Sequence, residues 1–203
     1  MKTRIICTIL VCLFSVVLAL GEEPHAAASV DKEGVQLSVG YLYQRSQGTF
    51  GNSGFSLNGG RADVLLPLSK NLGVAAEFSG VRTGGMPGAG TGLTLLTYMA
   101  GPRFSVRLRR SHQRQVVPFA QVLFGGTHAS DGLFPNGLSV TSTASSFAMS
   151  AGGGMQVGVT HRLSVRVIQA EYLYTRLPNL FDGYQNNYRV GAGVVVRLAR
   201  GAE

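Results

Sequence analysis

The chain has 203 residues, with 28 Gly, 45% hydrophobic and only 14% charged residues, a formal net charge of +8 and a mean hydropathy of +0.18. At about 150 residues per domain this is one domain or two small ones. So little charge excludes a disordered chain and argues against a typical cytosolic enzyme, where about 25% of residues are charged. Past the N-terminus no apolar run approaches the roughly 18 residues of a membrane helix. A Gly-rich β-protein remains, and the open question is whether its apolar face meets a core or a lipid.

Met1–Arg4 is basic, Ile5–Leu20 is an unbroken run of apolar and small residues, and Ala19-Leu20-Gly21 offers a cleavage site. This three-part pattern predicts a secretory signal peptide over 1–21. Cys7 and Cys12 both fall inside it, preceded by Ile6 and Val11, which do not suit a lipoprotein site. The expected mature chain therefore has no disulfide, Cys-metal site or Cys nucleophile. Its net charge becomes +6, and with export expected, anionic lipid or saccharide is a better neighbour than nucleic acid.

Residues 22–34 read as a flexible lead. From Val35 the chain alternates with period two. Val35, Leu37, Val39, Tyr41 and Tyr43 share one face; Gln36, Ser38, Gly40 and Gln44 share the other, with Leu42 the one exception. The last segment alternates in the same way from Tyr188 to Leu198. Six more strands are expected near Phe55–Leu68, Leu72–Arg82, Leu93–Val106, Val116–His128, Ser146–Thr160 and Leu163–Thr175, which makes eight. On each, one face is bulky and apolar and the other small or charged. A narrow barrel crowds its interior, so the Gly, Ser and charged face belongs inside and the aliphatic face outside, the signature of a transmembrane β-barrel.

Ser69-Lys70-Asn71 and Thr160-His161-Arg162 read as tight turns, whereas Ser46–Gly54, Thr83–Gly92, Ala129–Ala144 and Leu177–Gln185 are longer. This asymmetry suits the periplasmic and extracellular ends of an outer-membrane barrel. Closure would pair every backbone group. Without Trp, an aromatic girdle has to come from residues such as Tyr41, Tyr43, Phe78, Phe104, Phe124 and Tyr188. Arg166 and Glu171 have opposite parity, so either a β-bulge separates them or Glu171 reaches a rim.

Gly59–Val64, Ala100–Phe104, Pro118–Gln121, Gly152–Val157 and Arg166–Tyr172 occur in an order and spacing that resemble the small eight-stranded outer-membrane β-barrel family. That family includes the membrane domain of outer-membrane protein A and the opacity- and attachment-type surface proteins. The resemblance covers nearly all of residues 35–198 and implies an all-β, eight-stranded antiparallel up-and-down transmembrane barrel, followed by a short tail, 199–203. Gly193, Arg197 and Leu198 on the closing strand look like the signal read by the barrel assembly machinery, with Leu198 where an aromatic is usual. The chain stops where larger relatives add a peptidoglycan-binding domain, so no wall-anchoring role is carried over.

The expected interior charges are Arg61, Asp63, Glu77, Arg103, Arg166, Arg189 and Arg197. They would either line an anion pathway or form a paired polar core; a barrel of eight strands is just filled by its side chains, which favours pairing, with Arg61–Glu77 and Arg103 to Asp63 or Glu77 as bridges. His128, Ser130 and Asp131 could suggest a lipid A acyltransferase-like site, but a Gly-rich loop gives them no rigid support. Arg107, Arg109, Arg110 and Arg114 form a basic periplasmic turn suited to anionic headgroups, or to periplasmic anions. Gly84–Gly92 lacks the Lys-Ser/Thr of a phosphate loop.

The expectation is therefore a monomeric, non-enzymatic integral outer-membrane barrel with a structural or surface-interaction role and a lumen filled by polar side chains. Its partners would be outer-membrane lipid, the assembly machinery and an extracellular ligand, with no cofactor, metal or nucleic acid. A narrow channel and a secreted lipocalin-like barrel are the alternatives.

Overall fold

The computed structural model describes residues 34–46, 54–84, 92–109, 115–136, 139–177 and 183–198. The expected signal peptide and nearly all of the expected lead, the tail 199–203, residues 110–114 (with Arg110 and Arg114) and parts of all four outer connections lie outside these residues. Eight long strands follow one another: β1 Gln36–Ser46, β2 Phe55–Pro67, β3 Leu72–Thr83, β4 Leu93–Ser105, β5 Gln115–Asn136, β6 Ser139–Gly158, β7 Leu163–Thr175 and β8 Gln185–Arg197. Each pairs antiparallel with its sequence neighbours, and β1 pairs with β8, which closes the barrel. A two-residue ladder, Leu108–Arg109 against Gln115–Val116, extends the β4–β5 hairpin at its turn.

Alternation fixes which way each side chain looks. Val39 is 64% exposed and Tyr188 65% exposed, and Phe78, Phe104, Phe124 and Val194 also lie on the outer surface. Arg61, Asp63, Glu77, Arg103, Arg166 and Arg189 are buried in the lumen. On the outer face Tyr41 donates to Asn58 (2.5 Å), Tyr43 pairs with Ser56 (2.8 Å), Tyr172 donates to Asn186 (2.5 Å), and the rings of Tyr172 and Tyr188 meet edge to face at 5.8 Å. These tyrosines lie toward the long-connection end, with Phe104 at the other.

Tight curvature explains two of the glycines. At inward-facing Gly59 an added Cβ would sit 1.9 Å from the Gly80 carbonyl oxygen, so the backbones of β2 and β3 come together only without one. On the outer face Gly126 is directly opposite Tyr98, whose ring lies over it, an aromatic covering a bare stretch of strand.

The structure corrects the sequence reading in three places. First, Ala129–Ala144 is mainly ladder rather than loop. Strands β5 and β6 run on to Asn136 and Ser139, with a register shift between Ser130 and Phe134 and Asp131 in the left-handed region (φ 65). Ser, Thr and Gly at these positions read as loop, but pairing across the hairpin overrides that weak preference. Second, the lumen is not polar throughout. Leu42, Phe55, Leu57, Val81, Leu93, Leu95, Ala129 and Leu177 form a buried cluster at the long-connection end, so Leu42 obeys the alternation and faces an apolar neighbourhood. A second cluster contains Leu65, Ala75, Met99, Leu123, Ala148 and Leu173. Third, Arg197 points to the short-connection mouth rather than into the interior charge set, because it is the last residue of β8.

Both Arg166 and Glu171 face inward because a bulge lies between them. Arg166 pairs with Gly193 and Gln169 with Gly191, so Val167 and Ile168 together oppose Ala192, and both point outward. Deleting Val167 alone leaves strict alternation with Arg166, Gln169 and Glu171 all still inward, whereas deleting both Val167 and Ile168 makes Arg166 and Gln169 consecutive and forces either Arg166 or the Gln169–Glu171 face out of the lumen. We expect the double deletion to yield no heat-modifiable folded band on unboiled gels, whereas Val167→Ala should fold.

Candidate functional site

The lumen is the site the strands assemble. Asp63 on β2 is its lower hub: it accepts from Arg166 of β7 (2.6 and 3.1 Å) and Arg103 of β4 (3.1 Å), and also from the Ser38 hydroxyl of β1. Glu77 on β3 accepts from Arg189 of β8 (2.5 Å) and lies 3.4 Å from Arg61. Glu171 on β7 accepts from Arg61 (2.8 Å), Gln121 (2.7 Å) and Gln169 (2.7 Å), and lies 3.9 Å from Arg189. Arg103 also donates to Gln121 (2.7 Å), Arg166 to Gln169 (2.7 Å) and Arg189 to Ser79 (3.0 Å). The Phe119 ring faces two guanidiniums, with centroid distances of 4.7 Å to Arg103 and 5.3 Å to Arg166.

Seven strands contribute to this network, so it crosses the lumen and ties opposite walls together. Ion pairs so deeply buried repay their desolvation only when geometry is good and the remaining donors and acceptors are satisfied. Four guanidiniums face three carboxylates here, which leaves one formal positive charge in excess.

Of the seven residues expected inside, six converge; Arg197 does not. The expected Arg61–Glu77 and Arg103–Asp63 bridges are present, and Arg103 takes Asp63 rather than Glu77 as its carboxylate. Ser38, Ser79, Phe119, Gln121 and Gln169 join the network beside the expected charges. The parity of the strands marks all but Gln169, which only the bulge brings inward. At the outer end, His128 Nδ1 pairs with Ser145 (2.8 Å) and Asp131 accepts from Thr94 (3.1 Å). Both are therefore engaged across neighbouring strands. Among the described residues no group of three or more His, Cys, Asp or Glu is placed to hold a metal.

A closed eight-stranded barrel with an aliphatic and aromatic exterior and an ion-paired interior is the architecture of the small outer-membrane barrels. Neisserial surface protein A superposes with a TM-score of 0.57 at 14% identity, covering 81% of this chain and 97% of that one. The attachment invasion locus protein Ail of Yersinia pestis superposes with a TM-score of 0.50 at 18% identity, covering 82% and 99%. At such identities the likeness establishes the fold. No family model and no curated relative matches the chain.

Proposed function

We propose that this chain is an integral outer-membrane barrel that acts as a rigid, closed scaffold and presents its long-connection end, with the β5–β6 hairpin, to partners outside the cell. The observation that carries this reading is the inversion of polarity: aliphatic and aromatic side chains outside, four arginines and three carboxylates buried within. Only a solvent of acyl chains makes that exterior favourable. The two structures described above carry names of surface or attachment proteins, which agrees with a surface-interaction role. A monomer in outer-membrane lipid, inserted by the barrel assembly machinery through the Gly193–Leu198 end, fits the same picture, with binding rather than catalysis as its activity.

Beyond the signal region the chain has no cysteine, so single thiols report topology cleanly. On intact cells a membrane-impermeant maleimide should label Ser130→Cys but not Lys70→Cys, and permeabilising the outer membrane should expose the second. Equal labelling of both, or recovery of the protein in the soluble fraction, would defeat the proposal. Because Leu42, Leu57 and Leu95 are packed into the outer end of the lumen, planar-bilayer recordings should show no stepwise conductance.

A further inference from the structure

We propose that the short-connection mouth of the barrel is a binding site for a phosphate group. A shallow recess opens to solvent there, with an enclosed volume of only ≈ 20 Å³ at its base, lined by the ends of seven of the eight strands. Its polar lining includes Gln36, Lys70, Asn71, Arg107, Gln156 and Arg197, and no carboxylate of the described residues borders it. Gln36 and Gln156 are each more than nine-tenths buried, so the recess has a built polar floor rather than a loose surface rim.

The backbone segments that carry Lys70 and Arg197 are held in place. The Ser69-Lys70-Asn71 turn is closed by Leu68 and Ser69 amides donating to the Leu72 carbonyl (both 2.9 Å). The end of β8 is fastened on both sides, Arg197 N to Arg162 O and Leu198 N to Val35 O (each 2.8 Å). The Arg197 guanidinium leans on the His161 carbonyl through Nη1 (3.4 Å), which leaves its Nε buried with no hydrogen-bond partner. Behind the recess the lumen contributes its uncompensated positive charge, and Nη1 of Arg103 also has no partner.

A phosphate oxygen meets these demands. An arginine fork and a lysine point charge are complementary to it, and amide side chains supply neutral donors. The chemistry at the mouth is the same whether the group is carried by an inner-leaflet phospholipid or arrives as the free ion. The proposal stands apart from the outer-membrane reading, since its first test needs no bilayer.

The full mature chain, refolded in zwitterionic detergent, would be titrated with inorganic phosphate while backbone amides are followed by NMR. Saturable shifts are expected at Asn71, Gly73 and Arg197, with none on adding chloride at matched ionic strength. The apparent Kd should rise about tenfold in Lys70→Gln and in Arg197→Gln and stay unchanged in Arg45→Gln at the opposite rim. Lys70 is on an exposed turn, so its variant remains a test should Arg197→Gln fail to fold. Unsaturable shifts, equal shifts with chloride, or an undiminished response in Lys70→Gln would overturn the proposal. For a site that survives, nanodiscs in phosphate-free buffer distinguish the sources: mouth shifts on replacing a phosphorus-free galactolipid by phosphatidylglycerol identify a lipid headgroup, and their absence identifies the free ion.

Discussion

Replacing Asp63 by Asn should destabilise the folded barrel by about 3–5 kcal/mol, the scale for stranding a buried charge. The residue accepts from two guanidiniums on opposite walls, Arg166 and Arg103, and from Ser38. Removing its charge leaves four arginines facing two carboxylates in a lumen closed off from water by the apolar cluster at its outer end. Guanidinium chloride unfolding in detergent micelles, followed by the shift between folded and boiled gel bands, would measure the loss. Adding Arg166→Gln to Asp63→Asn should recover part of it, because the two side chains share one interaction and their effects are not additive. By contrast, Asp131→Asn should cost little, since Asp131 is exposed and its contact is a surface hydrogen bond to Thr94. Equal costs for Asp63→Asn and Asp131→Asn would show that the lumen network is not what holds the walls together.

Placing an arginine on the outer surface should be the second large effect. Val194→Arg puts a cation in the middle of the apolar belt, between Val39 of β1 and Val165 of β7 in register. In a bilayer this should cost roughly 2–4 kcal/mol, the depth-dependent penalty for Arg or Lys on a lipid-facing strand. In a barrel surrounded by water the same change would be close to neutral, as exposed surface substitutions usually are. Refolding into phosphatidylcholine vesicles across a urea series separates the two cases. A Val194→Arg midpoint equal to that of the unmodified chain would remove lipid as the solvent of this face.

The two effects come from different layers of the molecule, and those layers differ in how readable they are. The direction of Val39, Phe78 and Val194 follows from period two alone, because a strand has only two faces and side-chain bulk tells them apart. Six lumen charges follow from the same rule. Gln169 does not, since its parity is set by a bulge whose extra residue has no signature in Val167-Ile168. Nor does the continuation of β5 and β6 past Ala129, where Ser, Thr and Gly look like loop until a partner strand is present to satisfy their backbone. Parity puts Arg197 on the inward side of β8, yet it lies at the mouth. Parity gives a side, but depth along the axis depends on how the strands are staggered.

The residue pattern by itself determined strand number, the inside–outside assignment and the set of charges that had to be buried, since alternation and the cost of an unpaired charge are local properties of each ribbon. Tertiary structure alone decided who pairs with whom, that aliphatic side chains close the outer end of the lumen, and that Lys70, Arg107 and Arg197 come together at the other end. Those outcomes depend on closure and stagger, which bring positions more than a hundred residues apart, such as Arg61 and Glu171, into contact across a barrel whose width no single strand encodes.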